Sequence, residues 1–135
     1  MKTSLAASLR GAMRQLDRRI RSLDVDALQL DDYYRDRYLR EKLEILESSM
    51  IRSRSQLQMA MAGVRDPSRA VLIDHGGGTG TTGMLAKLAG VGTVIYNDID
   101  PRFLDTARKV GRAIGAESDH YVLGDVDVLI AYLRE

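Results

Sequence analysis

Five glycines fall within the ten residues Asp74-His75-Gly76-Gly77-Gly78-Thr79-Gly80-Thr81-Thr82-Gly83, directly after the apolar run Ala70-Val71-Leu72-Ile73. Glycine loses more backbone entropy than any other residue when it is fixed in a helix or strand, so a run this dense reads as a loop. Such a loop tolerates positive φ and lets a ligand approach the main chain closely. The helix that follows presents unpaired N–H groups and partial positive charge at its first turn. A nucleotide phosphate and a carboxylate suit that arrangement equally well.

The rest of the C-terminal half repeats the same unit. Ala70 to Ile73 suits a buried parallel strand, and Thr82 to Leu88 a helix stopped by Gly90 and Gly92. Thr93-Val94-Ile95-Tyr96 is a second strand. Pro101 opens a helix carrying Phe103, Leu104, Ala107, Val110 and Ile114 and closing at Gly115. Tyr121-Val122-Leu123 is a third strand and Val126 to Leu133 a third helix. Strands alternating with helices over short links predict right-handed crossovers and a parallel sheet. The expected class is α/β, a Rossmann-like three-layer arrangement of three βα units behind a helical N-terminal region.

That N-terminal region has a different period. Leu5, Leu9, Met13, Leu16 and Ile20 share one face of a helix over 4–22, with Arg10, Arg14, Arg18 and Arg21 beside it. Asp31 and Asp32 are caps for a second helix reaching about residue 62. Its Leu39, Leu43, Leu46, Met50 and Leu57 form a seam that suits packing on the first helix or on another copy of the chain. Tyr33, Tyr34 and Tyr38 cluster at its start, either as packing aromatics or as a lid over a pocket. Gly63 and Asp66-Pro67-Ser68 mark the border, giving a helical region over 1–66 and a ligand-binding region over 67–135.

Composition sharpens that border and removes whole classes of chemistry. Residues 1–69 carry 14 Lys/Arg against 10 Asp/Glu, residues 70–135 carry 6 against 9, and 10 of the 12 glycines follow position 70. The absence of cysteine excludes disulfides, thiolate-bound zinc, iron–sulfur clusters and thiol catalysis. It is compatible with a reducing compartment, and a cytoplasmic location is the expectation. No stretch approaches the roughly 18 to 20 apolar residues of a membrane span. The basic stripe of the first helix reads as a solvated face, so nucleic acid is not an expected partner. A small-molecule substrate is.

Four chemistries compete for the glycine loop. A Walker A loop would end in Gly-Lys-Ser/Thr, and this one has no lysine. His75-Gly76-Gly77-Gly78 matches the oxyanion string of lipase-like hydrolases, but the chain has no Gly-x-Ser-x-Gly elbow. Gly78-x-Gly80-x-x-Gly83 satisfies a dinucleotide fingerprint, which leaves an NAD(P)-binding oxidoreductase open. More residues fit a fourth reading. Asp74-x-Gly76-x-Gly78-x-Gly80 after an apolar strand resembles the first motif of class I S-adenosylmethionine-dependent methyltransferases. Val94-Ile95-Tyr96-Asn97-Asp98-Ile99-Asp100-Pro101 is similar to that family's second strand ending in an acid, and Tyr121-Val122-Leu123-Gly124-Asp125-Val126 to the Gly-Asp after its third.

The resemblance implies S-adenosylmethionine as cofactor, held by Asp74, Gly76, Gly78, Gly80, Asp98, Ile99, Asp125 and Val126. It places the methionine portion on the glycines with Asp74 near its ammonium, the ribose on Asp98 and the adenine amino group near Asp125. A carboxylate suits Asp98's part because both ribose hydroxyls are donors. Asp125 equally suits a helix cap, and Asp100 reads as the cap before Pro101 rather than a ligand. His75 suits the substrate side or an ordinary loop, and His120 the surface. The resemblance calls for more strands than the three read here, so the chain is expected to be the N-terminal portion of such an enzyme, with no catalytic residue assignable. The first strand would then be a sheet edge, with a homodimer through that edge or through the helical arm as one consequence. A non-catalytic scaffold subunit, assembling through the arm, is the alternative of a different class.

Overall fold

The structure, a computed structural model, describes residues 4–40 and 44–135. Helix α1 (Leu5–Arg21) is capped by Ser4, whose hydroxyl accepts the Ala7 N–H at 3.2 Å. It buries Leu9, Ala12, Leu16 and Ile20, with Leu5 and Met13 half-covered, so the predicted face is the packed one. A short turn of 3-10 helix (Val25–Leu28) leads to α2 (Asp32–Arg40) and α3 (Leu46–Ala60). Of the single long helix expected from residue 31 to 62, the described residues give these two helices, with a π-helical turn at residues 44–45 leading directly into α3. Leu43 of the predicted seam lies outside the described residues. Leu46, Met50 and Leu57 are buried, and α3 packs on α1 and α4 within the chain.

The second half follows the predicted order with longer strands. These are β1 (Val71–His75), α4 (Thr81–Leu88), β2 (Thr93–Asp98), α5 (Pro101–Ile114), β3 (His120–Leu123) and α6 (Val126–Leu133). The three strands form one parallel sheet in the order β1-β2-β3, with Ile73 opposite Ile95 and Asp98 opposite Leu123. β1 is thus an edge. Asp100 caps α5 ahead of Pro101, and Gly115 (φ 71°) ends it in the left-handed conformation that glycine adopts without strain. The Asp119 carboxylate accepts the Val94 N–H at 2.8 Å and the Lys87 ammonium at 2.9 Å, fixing the approach to β3.

Successive strand residues face opposite sides, which sorts the packing. Leu72 and Val94 meet α1 and α4 in a large cluster that runs through both halves of the chain, and Tyr96 meets Leu104 and Ala107 of α5. On the opposite face Ile95 and Val122 pack on Leu129 of α6. The result is an α/β layering consistent with a Rossmann-like arrangement. Among the described residues no helix is long and apolar enough to cross a membrane.

Candidate functional site

The carboxyl ends of the strands carry the glycine loop, residues 76–80, between β1 and α4. Gly76, Gly78 and Gly80 all take positive φ, at 67°, 57° and 86°. At Gly80 the constraint is double, because a Cβ would also lie 3.0 Å from that of Ala107. At Gly77 it is steric alone, since a Cβ would collide with the Tyr96 ring. The loop is closed onto β2 by three bonds. The Gly77 N–H donates to Asn97 O (3.0 Å), the Gly78 N–H to Asp98 Oδ2 (3.0 Å), and the Tyr96 hydroxyl to Gly78 O (2.5 Å). Burial raises the Tyr96 pKa, keeping that phenol a donor.

Asp98, half-buried, therefore has a structural duty. Its Oδ2 holds the loop and its Oδ1 accepts the Asp100 N–H at 2.9 Å. A carboxylate offers about four lone-pair sites, so acceptor capacity remains for two further donors. Asp100 is the cap it was read as, accepting from the Arg102 N–H (2.8 Å) and from the Tyr34 hydroxyl (2.6 Å). The Tyr34 bond, ahead of the Arg102 N–H, holds its pKa below the usual carboxylate range. Asp125 caps α6 through the Val128 N–H at 3.1 Å, so its helix-cap role is realised. Ile99 and Val126, 72% and 51% exposed, leave apolar surface beside Asp98 and Asp125. The Gly124 N–H bonds to Asp98 O at 3.0 Å, which joins the ends of β3 and β2.

Asp74 is the electrostatic anomaly. It lies on the packed face of β1, and its Oδ2 is buried without a hydrogen-bond partner. Burial, against the pull of the Gly83 N–H, and with Asp98 nearby, pushes its pKa up to about 6. His75 points its Nδ1 at Asn97 Oδ1, 2.6 Å away. Asn97 is fully buried and gives both amide hydrogens to Val122 O and Gly124 O, at 2.9 and 3.0 Å. Its oxygen must then face His75, so His75 Nδ1 is the donor of that bond.

A cavity of about 340 Å³ opens between the glycine loop and the helical arm. Asp74, His75, Gly76, Gly78 and Thr79 line one side, and Arg37, Ser49, Arg52, Ser53 and Gln56 the other. Of the sequence-predicted residues, Asp74, Gly76 and Gly78 meet in this cavity. Gly80, Asp98, Ile99, Asp125 and Val126 are not among its lining residues and continue along the carboxyl edge of the sheet. Sequence reasoning offered the arm's tyrosines as a lid and missed the arm residues that line the cavity, of which the basic excess of residues 1–69 was a trace. Tyr34 and Tyr38 are buried packing residues, Tyr34 lying edge-on to Phe103 with centroids 4.9 Å apart; Tyr33 is exposed, and no tyrosine lines the cavity. His120 is at the surface, bonded through Nδ1 to the Tyr132 hydroxyl at 2.6 Å. Among the described residues no cluster of His, Asp and Glu is placed to hold a metal ion. Comparison of the chain with family models, curated proteins and solved structures finds no match.

Proposed function

We propose that the chain binds S-adenosylmethionine along the carboxyl edge of β1, β2 and β3, as the cofactor-binding part of a methyltransferase. One observation carries the reading. Three acids of the resembling motifs, Asp74, Asp98 and Asp125, stand near the carboxyl ends of three adjacent parallel strands, at the edge that also carries a loop of left-handed glycines. Ligands of open α/β sheets bind at this edge. Asp74 suits the position beside an ammonium, because a buried carboxylate with one oxygen unpartnered gains most from a cation. Asp98 has acceptor capacity for ribose hydroxyls, and Ile99 offers an exposed apolar side chain beside it for a flat base.

When bound, the cofactor supplies an electrophilic methyl group on a sulfonium sulfur. The chain's own contribution is to fix that ligand and the acceptor in line, and positioning alone is worth several kcal/mol of barrier. A small-molecule acceptor fits a cavity of this size.

Calorimetric titration with S-adenosylhomocysteine and with NAD tests the assignment. Micromolar binding of the former, abolished by Asp98→Ala, is the expected result. Near pH 6 binding should also release about half a proton per site, as a cation drives Asp74 to ionise; at pH 8 the release should vanish. Preferential binding of NAD would sink the reading. That rival has one observation of its own: a Cβ at Gly83 would press on Asp74 and Val94 at 3.3 Å, the close helix–strand contact that the third glycine of a dinucleotide fingerprint serves.

A further inference from the structure

We propose that His75 is the general base of this site and that the methyl acceptor is a small molecule bearing a hydroxyl group, an inference that rests on the methyl-transfer reading. His75 ends β1 in register with Asn97 of β2, so its backbone belongs to the sheet rather than to the glycine loop. The residue is exposed and lines the cavity. Its ring is oriented from behind. Asn97 Oδ1 stands 2.6 Å from Nδ1, and Asn97 is itself held fast, with no solvent exposure and both amide hydrogens given to Val122 O and Gly124 O. Nδ1 is therefore the donor, and in the neutral ring the lone pair belongs to Nε2. An imidazole whose tautomer and orientation are set by a third group is the arrangement in which histidine takes up protons during catalysis.

The other titratable groups do not offer the same. His120 bonds its Nδ1 to the Tyr132 hydroxyl at the surface and is not among the cavity's lining residues. Asp74 lies on the packed face of β1, pulled by the Gly83 N–H and set beside the cofactor's ammonium in the methyl-transfer reading. The walls indicate what the base acts on. Ser49, Thr79 and Thr81 bring hydroxyls to the cavity and Gln56 an amide, groups that both donate to and accept from the hydroxyls of a ligand. A carboxylate acceptor would arrive already ionised and need no base, whereas a hydroxyl must lose its proton. In the step, the hydroxyl oxygen bonds to the methyl carbon as the carbon–sulfur bond breaks and its electron pair stays on sulfur. The hydroxyl proton passes to Nε2. An ether, a neutral thioether and an imidazolium result, and the imidazolium returns the proton to water.

The hydroxyl has two sources, a phenol or an alcohol, and catechol and methyl glucoside are the probes that separate them. The full chain is incubated with S-adenosylmethionine and each probe, and the S-adenosylhomocysteine formed is measured. Turnover of catechol alone assigns a phenol, and turnover of methyl glucoside alone an alcohol. His75→Asn keeps an N–H close to the place of Nδ1 for Asn97 and supplies no basic nitrogen. Its rate should fall by about a hundredfold or more, while S-adenosylhomocysteine affinity and the thermal midpoint stay as they are. Added imidazole should restore part of the rate to His75→Ala, which a merely structural histidine would not allow. A chain that binds S-adenosylhomocysteine but methylates neither probe, or keeps its rate in His75→Asn, overturns the proposal and leaves the methyl-transfer reading in place. A chain that binds no S-adenosylhomocysteine removes that reading and the base with it.

Discussion

On the face that carries Leu72, Val94 and Tyr96, the sheet is roofed by α1, α4 and α5, and Val94 and Tyr96 have no solvent exposure. On the other face α6 alone covers Ile95 and Val122, while Val71 and Ile73 stay 62% and 41% exposed. The same three strands supply both faces, so strand sequence does not make the difference; the helical arm does. α1 and α3 extend the first core well beyond what α4 and α5 provide. Asp74 and the cavity belong to that first face, which means the candidate site is held by the better-packed side of the molecule. Stability and ligand geometry should then fail together when the first face is damaged, and separately when the second is.

The largest effect should come from Leu16→Ala, which opens a void at a fully buried position on α1. Truncations of this kind cost about 2–5 kcal/mol, read as a lowered urea midpoint, and ligand affinity should fall in parallel. Asp74→Asn probes the same face from the opposite direction. The folded pKa of Asp74, about 6, lies above its unfolded value of 3.8, so the folded state binds the extra proton between them. Stability accordingly falls as pH rises through that window, and the ionised acid costs at most about 3 kcal/mol above pH 6. The Asn variant should be the more stable protein at pH 7, by up to that amount, with the advantage gone at pH 3.5. A gain that persisted at pH 3.5 would mean that ionisation of the buried carboxylate is not its cause.

Leu129→Ala should cost about 2 kcal/mol, at the low end of the same range, because the Ile95–Val122–Leu129 cluster is small and its rim is already solvated. Hydrogen exchange gives the sharper contrast. The amides of α6 should lose protection in this variant while those of α1 keep theirs. Equal loss in both helices would show that the two faces unfold as one unit.

The C-terminal half was legible because its signals are local. Asp100-Pro101 and Gly115 bracket α5 within a few residues of sequence, and Val126 to Leu133 is apolar but for Asp127. The strands β1 and β2 were read two residues short at their C-terminal ends, because the apolar run ends at Ile73 and Tyr96, and Ala70 was read into β1 though it lies just before it. Backbone pairing does not require apolar side chains, and Asp74, His75, Asn97 and Asp98 stay in the sheet. The arm was less legible. Its apolar seam keeps a helical period across residue 45, so periodicity alone missed the π-helical turn at residues 44–45, which neither proline nor glycine marks. Least legible was the cavity. Arg37 and Arg52 lie on two helices and line one cavity with a loop that begins 39 and 24 residues further along, an arrangement that only tertiary packing creates.

The smallest effect should belong to Ile73→Lys. Ile73 sits at the centre of β1 on the thinly covered face, where the long lysine side chain can lay its stem along the sheet and keep its ammonium in water. The cost should stay near 0.5 kcal/mol, made up of lost β propensity and the apolar area still covered. Val71, more exposed still, should tolerate the same change at least as well. The result carries weight because it reads the protein as it exists in solution. A cost comparable to that of Leu16→Ala would mean that something covers this face there, and a scattering mass above the 15.0 kDa of one chain would identify the cover as a second copy.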